Sequence, residues 1–278
     1  MKRVITTGAL ALAMIATFAV TANSAPRPAR RPMPLGTGGN FASLCRFDHR
    51  LPDDPIVAPG VAGGSHSHDF FGNTTTNASS TYESLLAGDT SCNRDADTAA
   101  YWAPTLSVNG AEIRPIAAQA YYNARGKAAV LPPPAALKII AGNSKATEAQ
   151  PLQVVAWHCG DNTRPGLSTT PPLCPERTAL RLQIRFPDCW DGTNLDSADH
   201  KSHMAYSRRG ACPSTHPVGL AGLRLTIAYP TRGGTGVTLA SGSALTGHAD
   251  FFNAWDQAEL TRLTAYCLNG HHACGRLG

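Results

Sequence analysis

Between Thr178 and Phe186 the side chains alternate: Leu180, Leu182, Ile184 and Phe186 share one face of an extended chain, while Arg181, Gln183 and Arg185 share the other. That period suits a half-buried strand and defeats an amphipathic helix, whose apolar positions recur every three to four residues. Leu223, Leu225, Ile227 and Tyr229 repeat the pattern, and 152–157 and 137–140 read as shorter strands. One helix is expected near the C-terminus, where Phe252, Trp255, Leu260, Leu263 and Cys267 recur at helical spacing after Asn253, read as its N-cap with Asp256 in the first turn. Strands dominate, punctuated by Pro and Gly. The expected fold is mainly β, a single antiparallel β-sandwich-like domain with long loops and a C-terminal helix, with α+β as the alternative.

Eight cysteines restrict the fold further: Cys45, Cys92, Cys159, Cys174, Cys189, Cys212, Cys267 and Cys274. None forms a Cys-x-x-Cys pair, so zinc-thiolate and thioredoxin-like sites lack support. An even number in an exported chain points to as many as four disulfides, with Cys159–Cys174 and Cys267–Cys274 the local pairs to try first. Export is itself an expectation. Lys2 and Arg3 precede an apolar run from Val4 to Val20, and small residues at 20–22 suit cleavage, so residues 1–22 read as a signal peptide. Residues 23–40 read as a Pro/Arg/Gly-rich linker and 41–278 as one secreted domain, soluble and without a membrane span, expected to be a monomer.

Charge narrows the partners. The chain carries a formal +5, yet five of its 24 Lys+Arg and none of its 19 Asp+Glu precede Phe41, which leaves 19 of each beyond it. A formally neutral domain is a poor nucleic-acid binder, so no nucleic-acid partner is expected. The chain also lacks a Gly-x-Ser-x-Gly elbow, a P-loop and a dinucleotide-binding glycine pattern.

Chemistry concentrates between Phe186 and Tyr206, where Asp188, Asp191, Asp196, Asp199, His200, Lys201, His203 and Tyr206 crowd an otherwise charge-poor chain. Its order, together with Asp54-Pro-Ile-Val-Ala-Pro-Gly60, Ser65-His-Ser-His-Asp-Phe-Phe-Gly72, Tyr101-Trp-Ala-Pro-Thr-Leu106 and Cys212-Pro-Ser-Thr-His-Pro217, resembles the secreted domain-of-unknown-function family numbered nineteen ninety-six. Members occur in fungi, sometimes beside cell-wall-sensing modules, and in actinobacteria. The resemblance implies an extracellular, cell-wall-associated setting and supplies no reaction. Asp69 departs from the aliphatic residue that more often follows the His-x-His of fungal members.

Several segments offer histidine with carboxylate nearby. His66 and His68 point the same way on an extended chain, His200 and His203 share a face if they sit on a helical turn, and His248 and Asp250 share one side of a strand. If His66, His68, His200 and His203 converge, they could hold a divalent metal ion. The metal-free reading is acid/base cleavage of a polysaccharide, as a glycoside hydrolase or a polysaccharide lyase, by His66, His68, Asp69, Asp191, Asp199, His200, Lys201, His203 and Tyr206. Trp102, Trp190, His216, His248 and Asp250 would then bind substrate. A non-catalytic glycan-binding or cell-surface module is the alternative from another class. Taken singly, Asp191-Gly-Thr-Asn194 also suits a tight turn pinned by Cys189 and plugged by Trp190.

Overall fold

The computed structural model describes residues 39–160 and 166–275. The expected signal peptide lies outside them, as does the expected linker except for Gly39 and Asn40. Among the described residues one antiparallel sheet holds nine strands: β1 (Asn40–Leu51), β2 (His68–Gly72), β3 (Ala100–Pro104), β4 (Ala117–Asn123), β5 (Lys138–Gly142), β6 (Val155–Cys159), β7 (Leu180–Arg185), β8 (Gly222–Tyr229) and β9 (His248–Phe252). Their order across the sheet is β5-β9-β3-β2-β1-β4-β8-β7-β6. Two small antiparallel sheets decorate it, one of which joins Cys189–Trp190 to Met204–Ala205 and Val218–Gly219.

The long strand β1 belongs to both halves of the sheet. Its first residues, Asn40 to Arg46, pair with β4, and its last, Phe47 to Leu51, pair with β2 across an irregularity between Phe47 and Arg50. A bulge there bends the strand and lets the two halves face each other. Leu182, Ile184, Leu225, Ile227 and Trp157 from one half and Phe71, Tyr101, Ile139 and Phe251 from the other join a single buried cluster. Each such side chain contributes roughly 1.5–3 kcal/mol by leaving water. The alternating segments are therefore strands because their apolar face closes this core.

On the half built from β2, β3, β5 and β9, the opposite face is covered too. Phe70, Trp102 and Phe252 pack there with Ile56 and Leu85, the latter from the short helix α1 (Tyr82–Leu86). Burial on both sides explains why β2 and β9 carry continuous runs instead of alternation.

The C-terminal helix α2 (Gln257–Leu263) continues as a π-helix from Thr264 to Asn269. Its N-cap is Asp256, whose carboxylate accepts the Glu259 N–H at 2.8 Å, three residues later than the sequence reading placed it. Asn253 instead donates to the carbonyls of Pro133 and Pro134 and accepts the Trp255 N–H, which fixes the turn before the helix. All eight cysteines are paired, as Cys45–Cys92, Cys159–Cys174, Cys189–Cys212 and Cys267–Cys274. The fold is mainly β and antiparallel, with a C-terminal helix and four disulfides, as the sequence predicts.

Candidate functional site

The covered face of β2 and β9 carries three histidines. Strand alternation puts His68 beside Phe70 on β2, and His248 and Asp250 beside Phe252 on β9. The loop entering β2 delivers His66, and it is tied down by two carboxylates. Asp53 accepts the N–H groups of Gly63 and Ala78, and Asp54 accepts those of Ile56 and Val57 through one oxygen, both at 2.9 Å.

The imidazoles are aimed at one point. His68 Nδ1 meets the Asp53 carbonyl at 2.9 Å and His248 Nδ1 meets the Thr246 carbonyl at 2.9 Å. A carbonyl only accepts, so both rings carry their proton on Nδ1 and present a bare Nε2. His66 Nε2 lies 3.2 Å from His248 Nε2, and ligand atoms of His66, His68 and His248 all fall within 4.8 Å of one another. His68 Nε2 is buried without a hydrogen-bond partner. Gly142, opposite His248 on β5, has φ +81, and a Cβ there would strike the Gly247 carbonyl and the His248 side chain.

Burial holds all three rings neutral. It pushes His68 well below its ordinary value, reinforced by His66 and His248, and takes His248 down to about 4. His66 is lowered by burial as well, with Asp54 opposing. The carboxylates beside them move the other way. Burial, with the neighbouring Asp54 adding to it, drives the fully buried Asp250 well above the carboxylate range, and Lys201 opposes. Asp54 is also raised by burial, against the two backbone N–H groups it accepts. Asp54, His68 and Asp250 bring ligand atoms within 4.8 Å of one another, and one Asp250 oxygen has no hydrogen-bond partner. Three imidazoles, two of them with a bare Nε2, flanked by two carboxyls form a donor set of the kind that holds divalent transition metals. Two nitrogens on a tetrahedral zinc ion would lie roughly 3.3 Å apart, close to the 3.2 Å between His66 and His248.

A cleft of about 650 Å³ opens on the same side, lined by Pro55, Tyr82, Lys138, Leu195, Asp196 and Phe252. Asp196 takes Lys138 Nζ at 3.5 Å and His200 Nδ1 at 2.9 Å. The Asp-rich segment thus supplies one wall. Its Lys201 reaches across to donate to the Gly142 carbonyl at 2.8 Å.

Apart from Trp102, the direct cross-strand partner of Asp250, the other residues singled out in the sequence make their bonds away from the three histidines. Asp69 points to the inner face, where Arg50 Nε binds it at 2.6 Å. Asp191 accepts the N–H groups of Thr193 and Asn194, and Asp199 those of Lys201 and Ser202, which is turn chemistry. Burial works against Asp191, yet these bonds hold it below the usual range, and Asp199 is held low by Ser202 and Lys201. Carboxylates held this low do not donate protons near neutrality. Both ring nitrogens of His203 are engaged, by Ser197 Oγ and the Lys138 carbonyl. His216 Nε2 meets the Ser202 carbonyl, Tyr206 donates to the Arg185 carbonyl, and the Trp190 indole donates to the Asn194 carbonyl. Trp102 is fully buried against Phe70, with ring centroids 5.7 Å apart. Sequence reasoning did not single out Asp54 as a site residue. Its place at the head of Asp54-Pro-Ile-Val was the available signal.

Among the described residues no helix is long and apolar enough to cross a membrane. No curated protein and no solved structure matches the chain. The family model described as a domain of unknown function, DUF1996, matches residues 54–255, a span that takes in His66, His68, His248 and the Asp-rich wall, and the chain belongs to that family.

Proposed function

We propose that His66, His68 and His248 hold a divalent transition metal ion beside the cleft, with Asp54 and Asp250 in support, and that the protein there cleaves an exported or cell-wall polysaccharide. One observation carries the reading: His68 and His248 each donate Nδ1–H to a backbone carbonyl and turn a bare Nε2 toward His66. A bound ion would act as a Lewis acid on a substrate oxygen. Tyr82, half-buried on the cleft wall, offers an aromatic ring to a sugar. Lys201, fixed on the Gly142 carbonyl, adds positive charge toward His248 and Asp250. Four disulfides suit an oxidising, extracellular setting.

A glycosidase carboxyl pair has less support. Asp54 and Asp250 are the carboxyl pair on this face, and a retaining glycosidase needs one of its pair as an ionised nucleophile. Burial raises both, which disfavours a carboxylate nucleophile. Metal-assisted hydrolysis or elimination is the reaction class that remains.

The test uses protein made without a His tag, assayed for reducing ends and unsaturated products on neutral and uronate polysaccharides while its metal content is measured. About one ion per chain is expected, with turnover that stops on chelation, returns with the ion and is lost in His68→Ala. Metal far below that level, or turnover indifferent to both chelation and His68→Ala, would sink the proposal.

A further inference from the structure

On the outer face of the other half of the sheet, arginines stand where a sheet would ordinarily alternate signs. Arg185 on β7 and Arg224 on β8 are directly opposed in the antiparallel register. Like charges in that relation repel. Arg125 joins them by folding back over the start of β8. Its Nη2 donates to the Leu223 carbonyl at 2.8 Å, and a Cβ on Gly222 would lie 2.4 Å from its Cγ. Only glycine at 222 leaves room for the Arg125 stem.

No carboxylate relieves the cluster. Among the described residues none of the three arginines has an ion pair, and each has a buried Nε–H without an acceptor. The nearest acid, Asp188, is taken by Lys127 and Ser207. What steadies the group is aromatic: the Arg224 guanidinium lies 4.5 Å from the centroid of the Tyr121 ring. Burial brings Arg125 down to about 9, with Arg185 and Arg224 contributing and Asp188 opposing. The concentration is local, because the chain beyond Phe41 has as many acids as bases. All three residues are partly exposed while their unpartnered Nε atoms are buried, so an anion would meet them through the outer Nη groups.

We infer that Arg125, Arg185 and Arg224 form an oxoanion-binding site for the carboxylate or sulfate groups of an acidic polysaccharide. Planar guanidinium forks with unfilled donors match such groups in pairs, and a repulsive cluster held in place by packing is already organised to receive them. The site is separate from the three histidines and does not depend on a metal there.

The test measures binding of polygalacturonate, neutral dextran and inorganic sulfate to the purified protein by calorimetry, with chelator present so that the histidine centre plays no part. The wild type is expected to bind polygalacturonate and not dextran, and sulfate is expected to compete better than chloride at equal ionic strength. Arg185→Gln and Arg224→Gln should each weaken polygalacturonate binding about tenfold. Arg262→Gln, which removes one charge from α2, should leave it unchanged. Melting temperatures of the two site variants at or above that of the wild type would show that they fold, since each removes a repulsive partner. Unchanged affinity in both site variants, equal binding of dextran, or sulfate binding by a protein that does not bind polygalacturonate would overturn the inference.

Discussion

His66 and His248 are 182 residues apart in sequence and meet Nε2 to Nε2 at 3.2 Å. His248 gives its one proton to the Thr246 carbonyl, so without an ion the contact requires His66 to donate from Nε2. With an ion, both lone pairs turn to the same centre. Cobalt titration followed by visible absorption separates the two states. His248→Ala should abolish tight binding and His66→Ala should weaken it at least tenfold. Equal cobalt binding by wild type and His248→Ala would show that the contact is only a hydrogen bond.

Asp250 lies two residues beyond His248 on the same face and is buried, with one oxygen unpartnered. Without a cation the buried carboxyl costs stability, whether it stays charged or must take up a proton, because its desolvation is uncompensated. Asp250→Asn should therefore melt higher than the wild type in chelator and bind zinc about 10–100-fold more weakly. The signs are opposite, and that opposition is the test. A variant less stable in both conditions would mean that the carboxyl serves packing alone.

Asp97 makes a pH-dependent contribution far from the histidines. It is buried beneath Tyr101, whose hydroxyl donates to it at 3.0 Å and contacts the Tyr122 hydroxyl at 2.8 Å. Burial raises its pKa from 3.8 to about 7, against the Tyr101 hydroxyl that donates to it. The folded state thus holds this proton more tightly than the unfolded one. The stabilisation is complete below about pH 4 and is lost as pH rises toward the folded value, with a slope approaching roughly 1.4 kcal/mol per unit. Asp97→Asn mimics the protonated form and should lack this slope. Denaturant melts of both proteins across that window should show wild type losing ground to the variant as pH rises, and parallel curves would refute the assignment.

The strands of the half-polar face were legible because burial on one side leaves a period of two. Leu180 to Arg185 and Gly222 to Tyr229 were found within two residues of their ends. On β9 the run His248-Ala-Asp-Phe-Phe252 is buried on both faces, so no alternation of apolar and polar residues marks its ends, and only the His248-x-Asp250 spacing suggested a strand. The histidine pairs were visible as spacing: His66 with His68, and His248 with Asp250, each share a face. Which pair meets which depends on β3 lying between β2 and β9, a non-local pairing that no local pattern encodes. The Asp-rich stretch drew attention by its density, and most of its carboxylates bond their own backbone. It forms a wall of the cleft through Leu195 and Asp196.

Lys127 and Asp188 form a buried ion pair in which the carboxylate also accepts the N–H and hydroxyl of Ser207. Burial pushes the Asp188 carboxyl up, but Lys127 and Ser207 outweigh it and hold the group below its usual range. The lysine stem lies against Gly219, where a Cβ would come within 2.8 Å of its Cδ, so the position accepts a flexible, unbranched side chain. Lys127→Met keeps that shape and leaves an uncompensated buried anion, which should cost about 3–5 kcal/mol. Asp188→Asn in the same chain removes the charge while retaining an oxygen to accept from Ser207, so the double variant should recover most of the loss. Urea unfolding of the wild type, both single variants and the double variant gives the coupling directly. If the double variant is no more stable than Lys127→Met, the cost lies in packing of the stem over Gly219, and the charge on Asp188 is not what Lys127 is there to balance.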